Sequence, residues 1–363
     1  MKSIFLHIGP HKTGTTTIQE GLNIHRDMLL RYDFLVPKTG QVFSTNAGQH
    51  NLARELRGDD RFNVQKGTWK ELLNEINKSN TENVILSSEG FSLLPLEKIN
   101  ELRNYLTGFL VKIIVYVRRQ DLVLQSYWAE VTKSGDYEHG NKDFDVWMDK
   151  YDFENRNGNY QKLLDKWSSV FGKENIIVRV LEKNQLNGSL FNDFLSTCGI
   201  KSPEKFSNPA DKNKSPGIKV IRLIQEFKKR LAGNMDKDER NMLYAMIIDY
   251  GNLAGWNEGK WTLINRQTYD KINDRYETSN NAVAKDFFGR DQLFFEDYNE
   301  NEFADFSMND FSNDELISLI TYIISQNLAE NRHLNIQLAL IHSSRGWRVL
   351  EKLQEVKRTL KRK

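Results

Sequence analysis

Apolar runs and helical stripes alternate along the first two hundred residues. "SIFLHIG" (3–9) is a short apolar run that stops at Gly9-Pro10, which predicts a buried strand ending in a turn. From Thr15 the spacing changes, with Ile18 and Leu22 four apart and Leu29 seven further on, the period of a helix. "DFLVPKTG" (33–40) predicts a brief second strand stopped by proline and glycine, followed by short helices at "HNLAREL" (50–56) and "TWKELLNEINKS" (68–79). "NVILSSEG" (83–90) is a third strand that ends in polar residues. "PLEKINELRNYLTG" (95–108) follows with Pro95 at the expected first helical position. "VKIIVYVRR" (111–119) is an apolar strand finishing on two arginines, with a helix expected near Asp121 to Lys133. Leu163, Leu164, Trp167, Val170 and Phe171 form another helical stripe, and "NIIVRVL" (175–181) a fifth strand.

Continuous apolar strands that alternate with helices predict an α/β fold: a P-loop-type parallel sheet with helices on both faces. From about Ser215 the pattern is almost wholly helical, as in "GIKVIRLIQEFKKRLAG" and "DELISLITYIISQNLAENRHL". The expected organisation is an α/β core over 1–210, a helical part of the same domain over 211–344, and a basic amphipathic tail over 345–363.

The net charge of the 363 residues is +2, which gives no reason to expect a nucleic-acid partner. Its distribution is uneven. Residues 345–363 hold eight Lys/Arg against two Glu, whereas 291–331 hold ten acidic residues and no Lys or Arg. With Trp347, Leu350, Leu353 and Leu360 among its basic residues, the tail is read either as a docked terminal helix or as a weak contact with an anionic membrane or glycan. Cys198 is the single cysteine, so no intrachain disulfide forms; a buried structural thiol and a reducing, cytoplasmic setting are expected. No apolar stretch reaches the ~18 residues of a membrane span.

Candidate chemistry concentrates in "HIGPHKTGTTTIQE" (7–20). A strand, a Gly/Thr-rich turn and a helix set backbone N–H groups at a helix N-terminus, where they lack intrahelical partners and attract an anion. Gly9 and Gly14 permit close approach, Lys12 adds a mobile cation, and Thr13, Thr15, Thr16 and Thr17 add hydroxyls. The loop departs from the nucleotide P-loop G-x-x-x-x-G-K-[ST], because the lysine precedes the second glycine.

This K-T-G-T-T loop after the first strand resembles the 5′-phosphosulfate loop of sulfotransferases, which use 3′-phosphoadenosine 5′-phosphosulfate (PAPS) as donor. The family pairs it with a strand-end arginine and a serine eight positions later that contact the donor 3′-phosphate; here "VYVRRQDLVLQS" supplies Arg118 and Ser126. "SSEGF", "IIVRVLEKNQL", "LFNDFLSTCGI" and "SNNAVAKDFFGRDQLFFED" are similar, more loosely, to segments of bacterial sulfotransferase-family proteins linked to surface polysaccharides. The resemblance implies a PAPS-dependent sulfotransferase acting on a hydroxyl or amine of a saccharide or glycolipid in capsule or lipopolysaccharide biosynthesis, with no metal. It implies that Lys12 meets charge on the bridging oxygen and that Thr13 to Thr16 with Gly14 hold the 5′-phosphate; His11, next to Lys12, is expected to line the donor site. The acceptor base is expected to be Glu89, at the end of the third strand, with His50 its rival; His7 is expected to pack within its strand. Lys212 and Lys214 in "NPADKNKSPG" are read either as a basic loop of the kind that the family closes over the nucleotide or as a solvated surface loop. Two other readings stay open: a P-loop kinase using ATP and magnesium, with Thr15 or Thr16 and Glu89 at metal-binding positions, and a non-catalytic nucleotide- or glycan-binding module of the same fold.

Overall fold

The computed structural model describes residues 1–343 except 135–140, 152, 154–156, 210–215, 232–233, 258 and 305. Lys212, Lys214 and the basic tail lie outside the described residues. The chain divides into two compact units, one built from 1–131, 142–215 and 260–304 and the other from 132–141, 216–259 and 305–363.

The first unit is built on five parallel strands: β1 (Ser3–His7), β2 (Phe34–Leu35), β3 (Asn83–Ser87), β4 (Leu110–Val117) and β5 (Ile176–Val180), in the order β2-β3-β1-β4-β5. β1 is central, with His7 opposite Ser87 of β3 on one side and Ile114 of β4 on the other. β4 is nearly all apolar because both of its faces are covered. Ile113, Val115 and Val117 join Ile4, Leu6, Val84 and Leu86 in the larger core. That layer holds α3 (His50–Arg57), α4 (Trp69–Lys78), α5 (Leu96–Tyr105) and the helix Tyr160–Phe171. Ile114, Tyr116 and Ile85 face the opposite layer, where α1 (Thr15–Ile24), α2 (Arg26–Arg31) and the helix Leu190–Thr197 bring Ile18, Leu22, Leu29, Phe191 and Phe194. Cys198 is buried in this second layer, and burial pushes its thiol well up, as expected of a structural cysteine.

Two details differ from the sequence reading. Pro95 stands at the N-cap of α5, with extended ψ, and Leu96 takes the first helical position. Residues 260–304 group with the sheet-bearing unit: Val283, Ala284 and Leu293 are part of its larger core. In the second unit the helices Ile218–Arg230 and Lys237–Leu253 pack with the start of the helix Asn313–Ser343 around Val220, Ile224, Tyr244, Ile247 and Leu319. Among the described residues no helix is long and apolar enough to cross a membrane.

Parallel strands deliver all their carboxyl ends to one edge, where ligands of open α/β sheets bind. Since β1 lies between β3 and β4, three connections leave that edge side by side. They are the 8–14 loop, Ser88–Glu89, and Arg118–Arg119 leading into α6 (Gln120–Lys133).

Candidate functional site

The 8–14 loop turns sharply. Lys12 has φ 65° and Gly14 φ 82°, both left-handed, a conformation that strains a lysine and suits glycine. A Cβ on Gly9 would meet Thr15 Cγ2 and the His7 ring, so only glycine lets the loop close over β1. Arg118 holds the turn from the neighbouring strand, donating from Nη1 to the Lys12 carbonyl at 3.2 Å. Gly14 caps α1 with no side-chain hydrogen bond, so no side chain of the cap occupies the amides of that helix start.

The threonines divide their work. Thr13 is buried and its hydroxyl donates to Pro10 O at 2.7 Å, closing the loop on itself. The Thr15 hydroxyl donates to Glu89 Oε1. Each hydroxyl has one proton to give, so these two residues offer an anion their amides rather than their hydroxyl protons. Thr16 is exposed at the start of α1.

Arg118 and Arg119 look alike in sequence and differ in surroundings. Arg119 is bidentate to Asp121, at 2.8 and 2.9 Å, and lies over the Tyr269 ring. Arg118 forms no carboxylate ion pair among the described residues; its backbone N–H and C=O both meet the Tyr160 hydroxyl, at 3.3 and 2.5 Å. Burial pushes the Arg118 guanidinium down from its usual range, with Asp121 opposing. A half-buried guanidinium without a carboxylate ion pair among the described residues is a candidate to receive negative charge.

Lys12 reaches α6. Its ammonium pairs with Glu130 and stands 5.9 Å from the Tyr127 ring, and the half-buried His11 ring meets the same tyrosine at 6.1 Å. Ser126 is half-buried on α6 and, four residues before Glu130, shares the helix face that meets Lys12. Glu130 and Tyr127 escaped the sequence reading. Their signal was the i, i+4 step from Ser126 on a helix that begins at the arginine pair.

Glu89 and His50 are neighbours. His50, first residue of α3, sets Nδ1 3.3 Å from Glu89 Oε2 and 3.1 Å from Ser88 Oγ. Gln19, one turn after Thr15 on α1, donates to Glu89 Oε2 at 3.3 Å and to Ser87 Oγ at 3.2 Å. Burial pushes the Glu89 carboxyl up, but the His50 ring, the Thr15 hydroxyl and other contacts outweigh it and hold it below its usual value. Burial lowers His50 despite the carboxylate. At neutral pH the pair is therefore an ionised carboxylate beside a neutral imidazole. His7 is fully buried, bonded through Nδ1 to Ser87 Oγ at 2.9 Å, and burial lowers it to about 4. It packs, as the sequence predicts.

A protein of Archaeoglobus fulgidus described as uncharacterized is 25% identical over 221 residues, covering 61% of this chain and 58% of that protein. The chain thus spans less than two thirds of that relative's length. No family model matches the chain, and no solved structure matches it.

Proposed function

We propose that the protein is a sulfotransferase that moves a sulfuryl group from PAPS to a hydroxyl or amine of a saccharide acceptor. The observation that carries this reading is Arg118: a desolvated guanidinium with no carboxylate partner among the described residues, bonded to the backbone of the Lys12 turn. Such a group beside the uncapped start of α1 suits a ligand with two separated anionic groups, one for the amides and one for the arginine. A nucleoside 3′-phosphate 5′-phosphosulfate has that form.

In this reading the acceptor oxygen attacks sulfur in line, the bond from sulfur to the bridging oxygen breaks, and adenosine 3′,5′-bisphosphate leaves. Lys12 exchanges Glu130 for the bridging oxygen, where charge develops in the transition state. The acceptor proton goes to neutral His50, and Glu89 steadies the imidazolium through Nδ1. This casts Glu89 as the positioning partner and His50 as the base. A saccharide in surface-polysaccharide synthesis remains the acceptor class on the strength of the family resemblance alone.

One contact favours a second reading. A threonine hydroxyl bonded to a strand-end carboxylate, as Thr15 is to Glu89, is the pair that holds magnesium in P-loop kinases. Counting from Gly9 to Gly14, however, Thr15 occupies the lysine slot of the nucleotide P-loop and exposed Thr16 the metal-hydroxyl slot. Thermal melting separates the two. Adenosine 3′,5′-bisphosphate without magnesium should stabilise the protein, by about 2.7 kcal/mol at a hundredfold excess over Kd. Stabilisation by ATP with magnesium, and none by the bisphosphate, would establish the kinase reading instead.

A further inference from the structure

The segment 41–49, between β2 and α3, passes beside the candidate base. Its backbone is tied to both neighbours of the site. Asn23 Nδ2 on α1 donates to Ser44 O at 3.2 Å, and Ala47 N–H donates to Gln19 O at 3.0 Å. Gln49 N–H reaches Ser87 O, at the end of β3, at 2.8 Å. Within the segment, Gly48 N–H donates to Asn46 Oδ1 at 3.1 Å. A Cβ on Gly48 would meet His50 Nε2 and Gln19 Oε1, so glycine lets the loop pass against the imidazole. The loop therefore presents its side chains from a fixed backbone. The largest of them, Phe43, is 52% exposed, and its ring lies 6.0 Å from the His50 ring at an interplanar angle of 70°. Burying a phenylalanine side chain stabilises a protein by about 1.5–3 kcal/mol, and half of this one forgoes that gain.

We infer that Phe43 is the platform on which a sugar ring of the acceptor lies, the C–H face of a pyranose against the phenyl ring and a ring hydroxyl turned to His50. The inference rests on the transfer reading for the reaction, while the loop that carries it is independent of the family resemblance. An aromatic face is the negative side of the ring quadrupole, and the axial C–H bonds of a pyranose present a weakly positive counterpart. Stacked rings stand about 4.5–7 Å apart between centroids. The 6.0 Å between Phe43 and His50 is of that size, so one sugar can cover the phenyl ring and bring an edge hydroxyl to the imidazole. The His50 side chain keeps 18% of its surface open for that approach. The surroundings favour a sugar over a flat aromatic acceptor. Phe43 is followed by exposed Ser44 and Thr45 and by half-buried Asn46, so its apolar surface has a rim of hydroxyls and an amide. A pyranose divides in the same way, into an apolar face and a polar edge. A phenol has two apolar faces and calls for the mostly apolar walls of an ordinary small-molecule pocket.

Saturation-transfer NMR on the full chain tests the platform without turnover. The probes are the methyl pyranosides of glucose, galactose and mannose, with 4-methylphenol as the aromatic comparison. At least one pyranoside should receive saturation on its ring C–H protons from the wild type, lose it in Phe43→Ala and regain it in Phe43→Trp. With PAPS as donor, Phe43→Ala should raise KM for that pyranoside roughly 2- to 12-fold, the scale of one aromatic stacking contact, and leave kcat near wild type. Phe43 is more than half exposed, so the variant should fold; if its melting temperature falls, Phe43→Leu carries the same comparison. No transfer to any of the three pyranosides overturns the proposal, as does transfer that Phe43→Ala leaves unchanged. Transfer to 4-methylphenol alone, lost in Phe43→Ala, would assign the platform to an aromatic acceptor and also overturn it. Adenosine 3′,5′-bisphosphate affinity, which Phe43→Ala should not move, is read separately. Its absence in the wild type strikes the donor reading, whereas absent ring saturation strikes the platform alone.

Discussion

Replacing Arg118 by alanine removes two things at once. One is the 3.2 Å bond that ties the Lys12 carbonyl to the end of β4. The other is a half-buried guanidinium that forms no carboxylate ion pair among the described residues, so part of its desolvation cost is met before a ligand arrives. Truncating a buried charged hydrogen-bonding partner of a bound anion costs about 2–5 kcal/mol, or roughly 30- to 5,000-fold in affinity. The loss should fall on adenosine 3′,5′-bisphosphate and spare adenosine 5′-phosphate, which lacks the group assigned to Arg118. Arg119→Ala is the matched control. Its cation is neutralised by Asp121, whose side chain is only 4% exposed, so the variant should lose about 3–5 kcal/mol of stability by stranding that carboxylate. Its affinity for the bisphosphate, measured on folded protein, should change far less than that of Arg118→Ala. Calorimetric titration of both ligands against both variants decides the matter. Equal weakening of the two nucleotides by Arg118→Ala, or a larger affinity loss in Arg119→Ala, would refute the assignment.

Turnover should fall about 10²–10⁴-fold in His50→Asn while bisphosphate affinity stays near wild type; full activity in that variant would remove His50 as the base. The acid limb of kcat/KM should lie below the ordinary histidine value of 6.5, because burial lowers His50, and it should vanish in His50→Asn. His7 predicts a stability effect in the same pH range. Its folded value of about 4 lies below the unfolded 6.5, so its contribution is complete above pH 6.5 and is lost as pH falls toward 4, by about 3 kcal/mol. Urea titrations between those pH values should show that slope in the wild type and a shallower one in His7→Gln; equal slopes would mean that His7 is not the group responsible.

The sheet was legible because its inner strands are covered on both faces and so read as mostly apolar runs. β2 shows the limit: Phe34–Leu35 is all that pairs, and Pro37 two residues on has no N–H to give a ladder. The sharp turn between β1 and α1 was legible because glycines, lysine and threonines fall in one short stretch. What the threonines do was not, since Thr13 turns to Pro10 and Thr15 to a residue 74 positions away. His50 and Glu89 looked like rivals because nothing local says that the start of α3 lies against the end of β3. The return of 260–304 to the sheet was hidden for the same reason. Its helix Arg266–Phe288 has the amphipathic period of its neighbours, and period reports that a face is buried without reporting against what.

The Thr15 and Gln19 contacts make the two halves of the site one piece. Both side chains lie one turn apart at the start of α1 and both donate to Glu89, which also faces His50. The free amides at the start of α1 and the carboxylate beside His50 are therefore held by the same helical turn. A bound anion at those amides adds negative charge near His50, and negative charge favours the protonated ring. If the proposed donor binds there, its charge should raise the basicity of an imidazole that burial otherwise lowers. On the proposed reading the His50 ring should therefore be the stronger base with donor bound, and an imidazole whose pKa is unmoved by adenosine 3′,5′-bisphosphate would refute this coupling.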